Sequence, residues 1–290
     1  MASAKKVLVL GGKNGLLGQS ICKELTANGW NVYPAGRSDF DPFDQAALAD
    51  VLEREECDVL INTVAYTMVD KAEEEEEAAY RLNKTLPQCV ARTCKKLGVL
   101  MVHFSTDFVF NGKKDTPYSP EDEPAPESVY GMSKLAGERA LLDLEYEKIL
   151  IIRTSWLFGP GKMNFVQKIL QLATERDELT VVADQIGSPS YTVDLAANTR
   201  LLLEHDATGL YHLASSGKAS WCELAAEAVE VAGLTCRIKP ISASEYPQAA
   251  KRPSNSILDL KKFIELTGVT PRPWSQGLRD YIFRDLQITE

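Results

Sequence analysis

The sequence predicts an α/β fold with a doubly wound parallel sheet and a smaller, less regular C-terminal lobe. Over the first 156 residues, five short apolar runs alternate with helical stretches, as a parallel sheet covered on both faces requires. After about Trp156 the elements become shorter, and stretches rich in proline and serine appear near Gly187 and Lys251. This order of elements is typical of a Rossmann-type sheet.

The apolar runs mark the strands, and the segments between them mark the helices. The predicted strands begin at Lys5, Asn31, Cys57, Val99 and Lys148, and the predicted helices begin near Gly15, Gln45, Glu73 and Tyr130. Pro87 is expected to bend or interrupt the third helix because it has no N–H to donate. Residues 111–129 contain four prolines and no apolar periodicity, so they are predicted to form a loop. We expect residues 1–156 to form one domain, with added segments from about 190–215, and residues 157–290 mostly to form the smaller lobe.

The composition excludes several classes of partner. The chain has 290 residues, 44% of them hydrophobic, a formal net charge of -9 and a pI near 5.1. This negative balance opposes binding to nucleic acid or anionic lipid, because both usually begin with a basic patch. The N-terminus MASAKK lacks an apolar stretch long enough for a signal peptide or membrane span, so a cytoplasmic location is expected. Six cysteines without a C-x-x-C pair and three scattered histidines predict buried free thiols and no metal site.

A glycine-rich turn follows the first predicted strand. The segment GGKNGLLG places Gly12, Gly15 and Gly18 at regular spacing where a strand passes into a helix. Glycines there let backbone N–H groups and the helix N-terminus approach a pyrophosphate, although glycines also serve tight turns. The turn therefore predicts a dinucleotide site, to which the residues between the glycines also contribute: Asn14, Leu16 and Leu17.

The end of the second predicted strand bears on the choice of cofactor. NAD-binding folds commonly carry an acidic residue there, whereas this sequence has AGRSDF with Arg37 in that neighbourhood. A guanidinium favours a 2′-phosphate through charge-assisted hydrogen bonds, so NADPH is the predicted cofactor. Asp39 leaves the use of NADH open, Phe40 is assigned to the same site, and a plain surface arginine is the alternative interpretation of Arg37.

The third apolar run ends in NTVAYT, near the expected path of the cofactor. Val64, Ala65 and Tyr66 are predicted to contact its adenosine and ribose portions. Ordinary packing at the end of a strand explains these residues equally well.

A Y-x-x-x-K motif, Tyr130 to Lys134, follows the fourth predicted strand and its terminal Ser105-Thr106-Asp107. The spacing puts the phenol and the ammonium on one helix face, one turn apart. Carbonyl reduction needs a proton donor, and lowering a tyrosine pKa by about two units takes about 3 kcal/mol. A charge pair about 4 Å apart supplies about 4 kcal/mol at a dielectric of about 20. Tyr130 and Lys134 are therefore predicted to be catalytic and to contact the cofactor, with Thr106 as third member and Ser105 as its rival.

The ordered motifs GGKNGLLG, INTVAYTMVDKAE, STDFVFNG, YGMSK, RTSWLFG and DQIGSPSYTVDLA span nearly the whole chain. With them the chain resembles the dTDP-4-dehydrorhamnose reductase family of extended short-chain dehydrogenases. The resemblance implies that NADPH delivers hydride to C4 of dTDP-4-dehydro-L-rhamnose, giving dTDP-L-rhamnose. It also implies that Thr106 acts in both catalysis and substrate binding, and that a substrate-binding lobe and three further residues contact the deoxysugar: Asp107, Val109 and Trp156. Related nucleotide-sugar epimerases are similar only in the first half.

Further residues bear on assembly, on diphosphate binding and on the class of protein. Some family members join subunits through a metal held partly by an acidic residue at the position of Ser20, so a metal-bridged homodimer is in doubt here. Asn164, Phe165 and Arg252 are local groups able to hold a nucleotide diphosphate, and a solvated surface role is the alternative for Arg252. The intact motif favours an enzyme over an NADP-binding regulatory subunit resembling the methionine adenosyltransferase beta subunit, and over an epimerase with tightly held NAD.

Overall fold

The computed structural model describes residues 4–288. Residues 1–3 of the N-terminal segment MASAKK lie outside this range. Strands and helices alternate in its first half, because runs buried on both faces are followed by amphipathic segments. These elements are β1 (Lys6–Leu10), α1 (Leu16–Ala27), β2 (Asn31–Ala35), α2 (Gln45–Arg54), β3 (Val59–Asn62), α3 (Val69–Ala72), α4 (Glu76–Tyr80), α5 (Leu86–Leu97), β4 (Leu100–Thr106), α6 (Val129–Leu142) and β5 (Ile149–Thr154).

The helix predicted from Glu73 is divided into segments. Between α4 and α5 the chain forms a π-helical segment over Arg81–Thr85, and Pro87 follows at the start of α5. Pro87 has no N–H to give to the carbonyl four residues earlier, that of Asn83, so a regular α-helical pattern cannot continue through this point. The interruption expected at Pro87 is confirmed.

The second half has shorter elements. They are β6 (Leu157–Phe158), α7 (Phe165–Ala173), β7 (Glu178–Val182), β8 (Ile186–Gly187), β9 (Ser190–Tyr191), α8 (Thr192–Glu204), β10 (Gly209–His212), β11 (Ala219–Ser220), α9 (Trp221–Val231), β12 (Arg237–Ile241), α10 (Lys261–Thr267) and α11 (Trp274–Asp280). None of the helices in residues 4–288 is long and apolar enough to cross a membrane.

The main sheet has six parallel strands in the order β10-β5-β4-β3-β1-β2. One apolar cluster covers one face, with contributions from α1 and α8, and a second cluster covers the other face, with contributions from α2 and α5. The predicted doubly wound parallel sheet is therefore confirmed. Since all strands run the same way, their carboxyl ends meet at one edge, where such folds bind ligands.

A separate set of small sheets and apolar clusters lies after β5. Parallel strands β7 and β12 pair, and α7 and α9 pack on them around Ala225. By contrast β10 pairs with β5 in the main sheet, and α8 packs in the main core against α1. The division of the chain into two domains stays a prediction. The six cysteines are free thiols, of which Cys57, Cys94 and Cys236 are buried.

Candidate active site

The glycine turn lies at the carboxyl end of β1. Gly11 has a φ of 83°, and Gly15 N–H donates to Gly11 O at 2.8 Å. A Cβ at Gly15 or Gly18 would overlap Gly11 O, and one at Gly12 would lie 3.0 Å from Pro34 Cα. The glycines thus permit close packing of the turn on itself and on β2. Gly11, which the sequence analysis did not include, is the residue that takes the left-handed conformation.

This turn leaves the start of α1 accessible to an anion. Its N-cap is Gly15, and no side chain of residues 4–288 caps the helix there. The first-turn N–H groups and the positive end of the helix dipole suit a phosphate. Of the other residues predicted to line this site, Asn14 is exposed, Leu16 is half-buried, and Leu17 is buried in the main core. Leu17 is therefore able to contribute to the site only through its backbone.

Charged residues surround the end of β2. Arg37 is exposed and forms no ion pair within the described part of the chain. Asp39 accepts hydrogen bonds from Gly36 N–H at 2.7 Å and from Lys13 Nζ, and the bond from Lys13 holds the pKa of the Asp39 carboxyl below its usual range. Phe40 is half-buried against the core. Asp39 is thus engaged while Arg37 is available, and Lys13, a cation inside the glycine turn, is a neighbour that the sequence analysis missed.

The end of β3 is tied to α6 through Asn83. The Asn83 side chain accepts from Tyr66 N–H at 2.8 Å and donates to Tyr66 O at 3.1 Å and to Ser133 Oγ at 3.0 Å. Ser133 in turn donates to Tyr130 O at 2.8 Å. Val64 and Ala65 are half-buried beside this connection. In the sequence, Asn83 stands out only as a polar residue inside a helical segment. Its hydrogen-bond partners lie too far away in the chain to be predicted.

Two hydroxyls at the end of β4 have different partners. Thr106 lies beside the Tyr130 phenol, and its hydroxyl donates to Asp107 Oδ1 at 3.1 Å. Ser105 instead donates to Glu138 Oε1, on a side chain held by Arg153 in a bidentate ion pair. Successive residues of a strand face opposite ways, so only Thr106 faces the phenol.

Tyr130 and Lys134 are both almost fully buried on α6, with exposed fractions of 9% and 1%. Burial raises the pKa of Tyr130 to about 12 and lowers the pKa of Lys134 to about 8. The expectation that Lys134 lowers the Tyr130 pKa is wrong for this structure. The reason is that desolvation is the largest effect on the phenol, and Lys134 Nζ donates to Phe104 O at 2.5 Å.

Lys134 also contacts a buried histidine. Its Nζ lies 3.4 Å from His103 Nε2, and His103 Nδ1 lies 3.2 Å from Asn62 Nδ2. Asn62 Oδ1 accepts from Val64 N–H at 3.0 Å, which fixes the orientation of the amide. In the sequence, His103 is recognisable only as one of three scattered histidines.

The residues predicted to contact a deoxysugar have different environments. Asp107 is 1% exposed, and burial raises its pKa to about 6. Its Oδ2 makes no hydrogen bond in the described residues, although the unpaired Ser256 hydroxyl lies near the carboxyl group. Val109 is fully buried in an apolar cluster with Phe110 and Tyr118. The orphaned oxygen of Asp107 is suited to a polar ligand, whereas the Val109 side chain is occupied by packing.

Trp156 takes a strained backbone conformation, with a φ of 49°. Its indole stacks on Trp221 with ring centroids 3.6 Å apart, and a Cβ at Gly187 would lie 2.5 Å from its Cε2. One face of the Trp156 ring is therefore covered by Trp221. A sugar bound at Trp156 would have to contact the part of the indole that Trp221 leaves uncovered.

The three residues considered for a diphosphate are engaged within the protein. Asn164 caps α7 and donates to Tyr281 Oη at 2.7 Å, and Phe165 packs on Trp221. Arg252 forms a bidentate pair with Asp70, with Nη2 2.7 Å from Oδ2.

Ser20, the position that bears on a metal-bridged dimer, is buried and donates to Thr192 Oγ1 at 2.9 Å. Residues 4–288 contain no cluster of three or more metal-ligating side chains.

The doubly wound sheet, the glycine turn and the Tyr–Lys pair on α6 define the class, that of the short-chain dehydrogenases and reductases. A sequence profile described as RmlD substrate binding domain matches residues 5–286. The chain belongs to this family, as its motifs predicted.

Relatives of known name support this assignment over nearly the whole length. The chain is 36% identical to dTDP-4-dehydrorhamnose reductase of Escherichia coli (strain K12), over 94% of this chain and 95% of that protein. It is 39% identical to spore coat polysaccharide biosynthesis protein SpsK of Bacillus subtilis (strain 168), over 96% of each. The crystal structure of dTDP-4-dehydrorhamnose reductase from Bacillus anthracis in complex with NADP is 34% identical, with a TM-score of 0.92 over 97% of this chain and 99% of that chain.

A solved epimerase structure shares the fold over nearly the whole chain. UDP-glucose 4-epimerase from Brucella ovis in complex with NAD has a TM-score of 0.82 at 20% identity, over 96% of this chain and 97% of that chain. The backbone likeness therefore extends beyond the first half, whereas the expectation about epimerases concerned sequence motifs and stays a prediction. A fold is retained at identities too low to keep the motifs recognisable, so this likeness concerns the fold alone.

Proposed function

We propose that the protein uses NADPH to reduce the C4 keto group of dTDP-4-dehydro-L-rhamnose, giving dTDP-L-rhamnose. The single observation that carries the proposal is that Tyr130, one helical turn before Lys134, is buried beside Thr106 at the carboxyl edge of the sheet. The names of the relatives reported above supply the substrate. A role in polysaccharide synthesis is consistent with the same names.

The residues at the edge of the sheet fit an NADP(H) molecule. The tightly packed glycine turn and the uncapped start of α1 suit the pyrophosphate, and the available Arg37 suits the 2′-phosphate. Because Asp39 is already engaged by Lys13 and Gly36, it is less able to accept hydrogen bonds from ribose hydroxyls. We therefore infer a preference for NADPH over NADH. When bound, the dinucleotide supplies the hydride.

The chain itself supplies the proton and the binding of the carbonyl. When substrate binds, the Thr106 hydroxyl turns its one hydrogen from Asp107 Oδ1 to the substrate oxygen and holds it next to the Tyr130 phenol. Tyr130 donates its proton to that oxygen as negative charge develops. Burial keeps Tyr130 protonated at neutral pH, so it is ready to act as an acid. Asp107 Oδ2, which lacks a partner within residues 4–288, is proposed to accept a hydrogen bond from a sugar hydroxyl.

This proposal is tested with a panel of 4-keto sugar nucleotides, each offered with NADPH and with NADH. Turnover is followed by the absorbance of reduced nicotinamide. Rapid oxidation of NADPH with dTDP-4-dehydro-L-rhamnose is expected. Failure with every 4-keto sugar nucleotide, together with co-purification of a larger synthetase, would favour the regulatory role. Non-exchanging NAD in the purified protein would favour an epimerase.

Location and assembly complete the proposal. The cytoplasm is the proposed location, since NADPH and nucleotide sugars are the proposed reactants. A homodimer is the proposed assembly, and because Ser20 is a buried hydroxyl, no metal is assigned to its interface. Light scattering tests the homodimer, and repeating the measurement with a chelator tests whether the dimer depends on a metal.

A further inference from the structure

A buried polar chain leads from β3 through β4 to Lys134. Asn62, His103 and Lys134 are 0%, 0% and 1% exposed, so their hydrogen bonds must be satisfied by one another and by the backbone. Lys134 Nζ donates to Phe104 O at 2.5 Å and lies 3.4 Å from His103 Nε2. The proposed reaction uses Lys134 but assigns nothing to His103.

The direction of each hydrogen bond follows from one fixed amide. Val64 N–H donates to Asn62 Oδ1, so the Asn62 amide nitrogen faces His103 and donates to Nδ1. A neutral His103 then carries its hydrogen on Nε2, pointing at Lys134 Nζ. Burial lowers the His103 pKa well below its usual value, so the ring is neutral.

An N–H group that points at Lys134 distinguishes the two charge states of the amine. An ammonium has no lone pair, so His103 Nε2–H and Lys134 would oppose each other as two donors. An uncharged amine accepts from His103 and still donates to Phe104 O, so every member of the chain is satisfied. The arrangement therefore favours the uncharged amine.

Other ionisable groups around Lys134 do not replace this effect. They are Tyr130 and Glu138 on α6, His103 on β4, Asp107 after β4 and Arg153 on β5. Glu138 favours the ammonium, but its carboxylate is bound by Arg153 and Ser105. Among these groups His103 is the one that makes a hydrogen-bonding contact with Nζ in the described structure, at 3.4 Å.

We propose that His103 is a positioning residue that stabilises uncharged Lys134, so that Lys134 returns a proton to Tyr130 after Tyr130 has protonated the substrate. The inference rests on the proposed reductase function. One N–H bond of the ammonium breaks and the O–H bond of Tyr130 forms, with the proton passing through one bridging water or hydroxyl, because Nζ donates to Phe104 O and does not contact the phenol directly. The electron pair left on Nζ accepts the hydrogen bond of His103, and solvent supplies the next proton.

Titration of Lys134 by NMR tests this role without turnover. In lysine-labelled protein, the Lys134 signal is identified by its loss in Lys134→Met. His103→Leu is expected to raise the Lys134 pKa by about one unit or more, because the opposing N–H is gone. Added apolar surface alone would lower that pKa, which is the opposite sign. His103→Gln, which keeps an amide N–H, is expected to stay within about half a unit of wild type.

Two further readouts complete the test. In the wild-type protein, histidine ¹⁵N shifts are expected to place the His103 hydrogen on Nε2, and this measurement needs no variant to fold. With substrate, His103→Leu is expected to lower kcat at pH 7 about tenfold while changing KM less than about twofold, and His103→Gln is expected to restore kcat. An unchanged or lowered Lys134 pKa in His103→Leu, or a hydrogen on Nδ1, overturns the proposal. If the Lys134 pKa shifts as expected but the protein turns over no 4-keto sugar nucleotide, the proposed reaction is overturned while the pairing of His103 with Lys134 is supported.

Discussion

The carbonyl oxygen of Asn83 occupies the space in which a side chain at Gly137 would lie. Pro87 has no N–H to give to this carbonyl, and Gly137 lets α6 pack directly against it. The Asn83 side chain at the same time binds Tyr66 and Ser133. The position of the helix that carries Tyr130 and Lys134 is therefore set by a contact with a π-helical segment.

Gly137→Ala is expected to destabilise the protein and displace α6. Its methyl group would overlap Asn83 O, and overpacking costs about 1–3 kcal/mol, partly offset by about 1 kcal/mol of better helix propensity. Chemical denaturation measures the loss, and kcat should fall because Tyr130 moves with α6. Met132→Ala, at an exposed position of α6, serves as the control and should stay within about 0.5 kcal/mol of wild type. An equally small effect at Gly137 would contradict the packing argument.

Tyr130→Phe is expected to bind NADPH normally and to lower kcat by a factor of about 100 or more, since the proton donor is lost. Cofactor binding is measured by nicotinamide fluorescence, and turnover by absorbance. Ser105→Ala is a useful comparison because Ser105 faces the Glu138 network and not the phenol. Near-normal turnover of Tyr130→Phe would remove the phenol from the mechanism.

Arg37→Ala is expected to weaken NADPH binding roughly tenfold to a hundredfold, which corresponds to losing charged hydrogen bonds of about 1.5–3 kcal/mol. The affinity for NADH should change little, since NADH lacks the 2′-phosphate. Titration calorimetry with both cofactors measures the difference, and Arg37→Lys should retain part of the preference. If both cofactors lose affinity equally, Arg37 does not recognise the 2′-phosphate.

Asp107→Asn is expected to make the protein more stable at pH 8 but less active. Burial raises the pKa of Asp107 to about 6, so the native state binds its proton more tightly than the unfolded chain does. The native state therefore loses stability as the pH rises from about 4 through about 6, by up to roughly 3 kcal/mol. Denaturation curves of the two proteins should converge below about pH 4. A pH-independent difference would assign the effect to packing.

The sequence was informative where signals are local. The start of β2 at Asn31, the glycine turn and the Tyr130–Lys134 spacing were all predicted from short segments. The Asn83–Ser133 bond and the Glu138–Arg153 pair were not predicted, because partners that pack across different elements leave no local pattern. The Tyr130 pKa was predicted in the wrong direction because spacing indicates a neighbour but not the degree of burial.

Strand β10 joins the main sheet beside β5 although more than fifty residues separate the two in the chain. During translation, β5 would leave the ribosome with an unpaired edge, and its backbone groups would be open to pairing with another chain. That edge is covered once residues 209–212 have been synthesised. Nascent chains that stop before this point should therefore aggregate or depend on chaperones, so the N-terminal half is a poor candidate for a minimal cofactor-binding fragment.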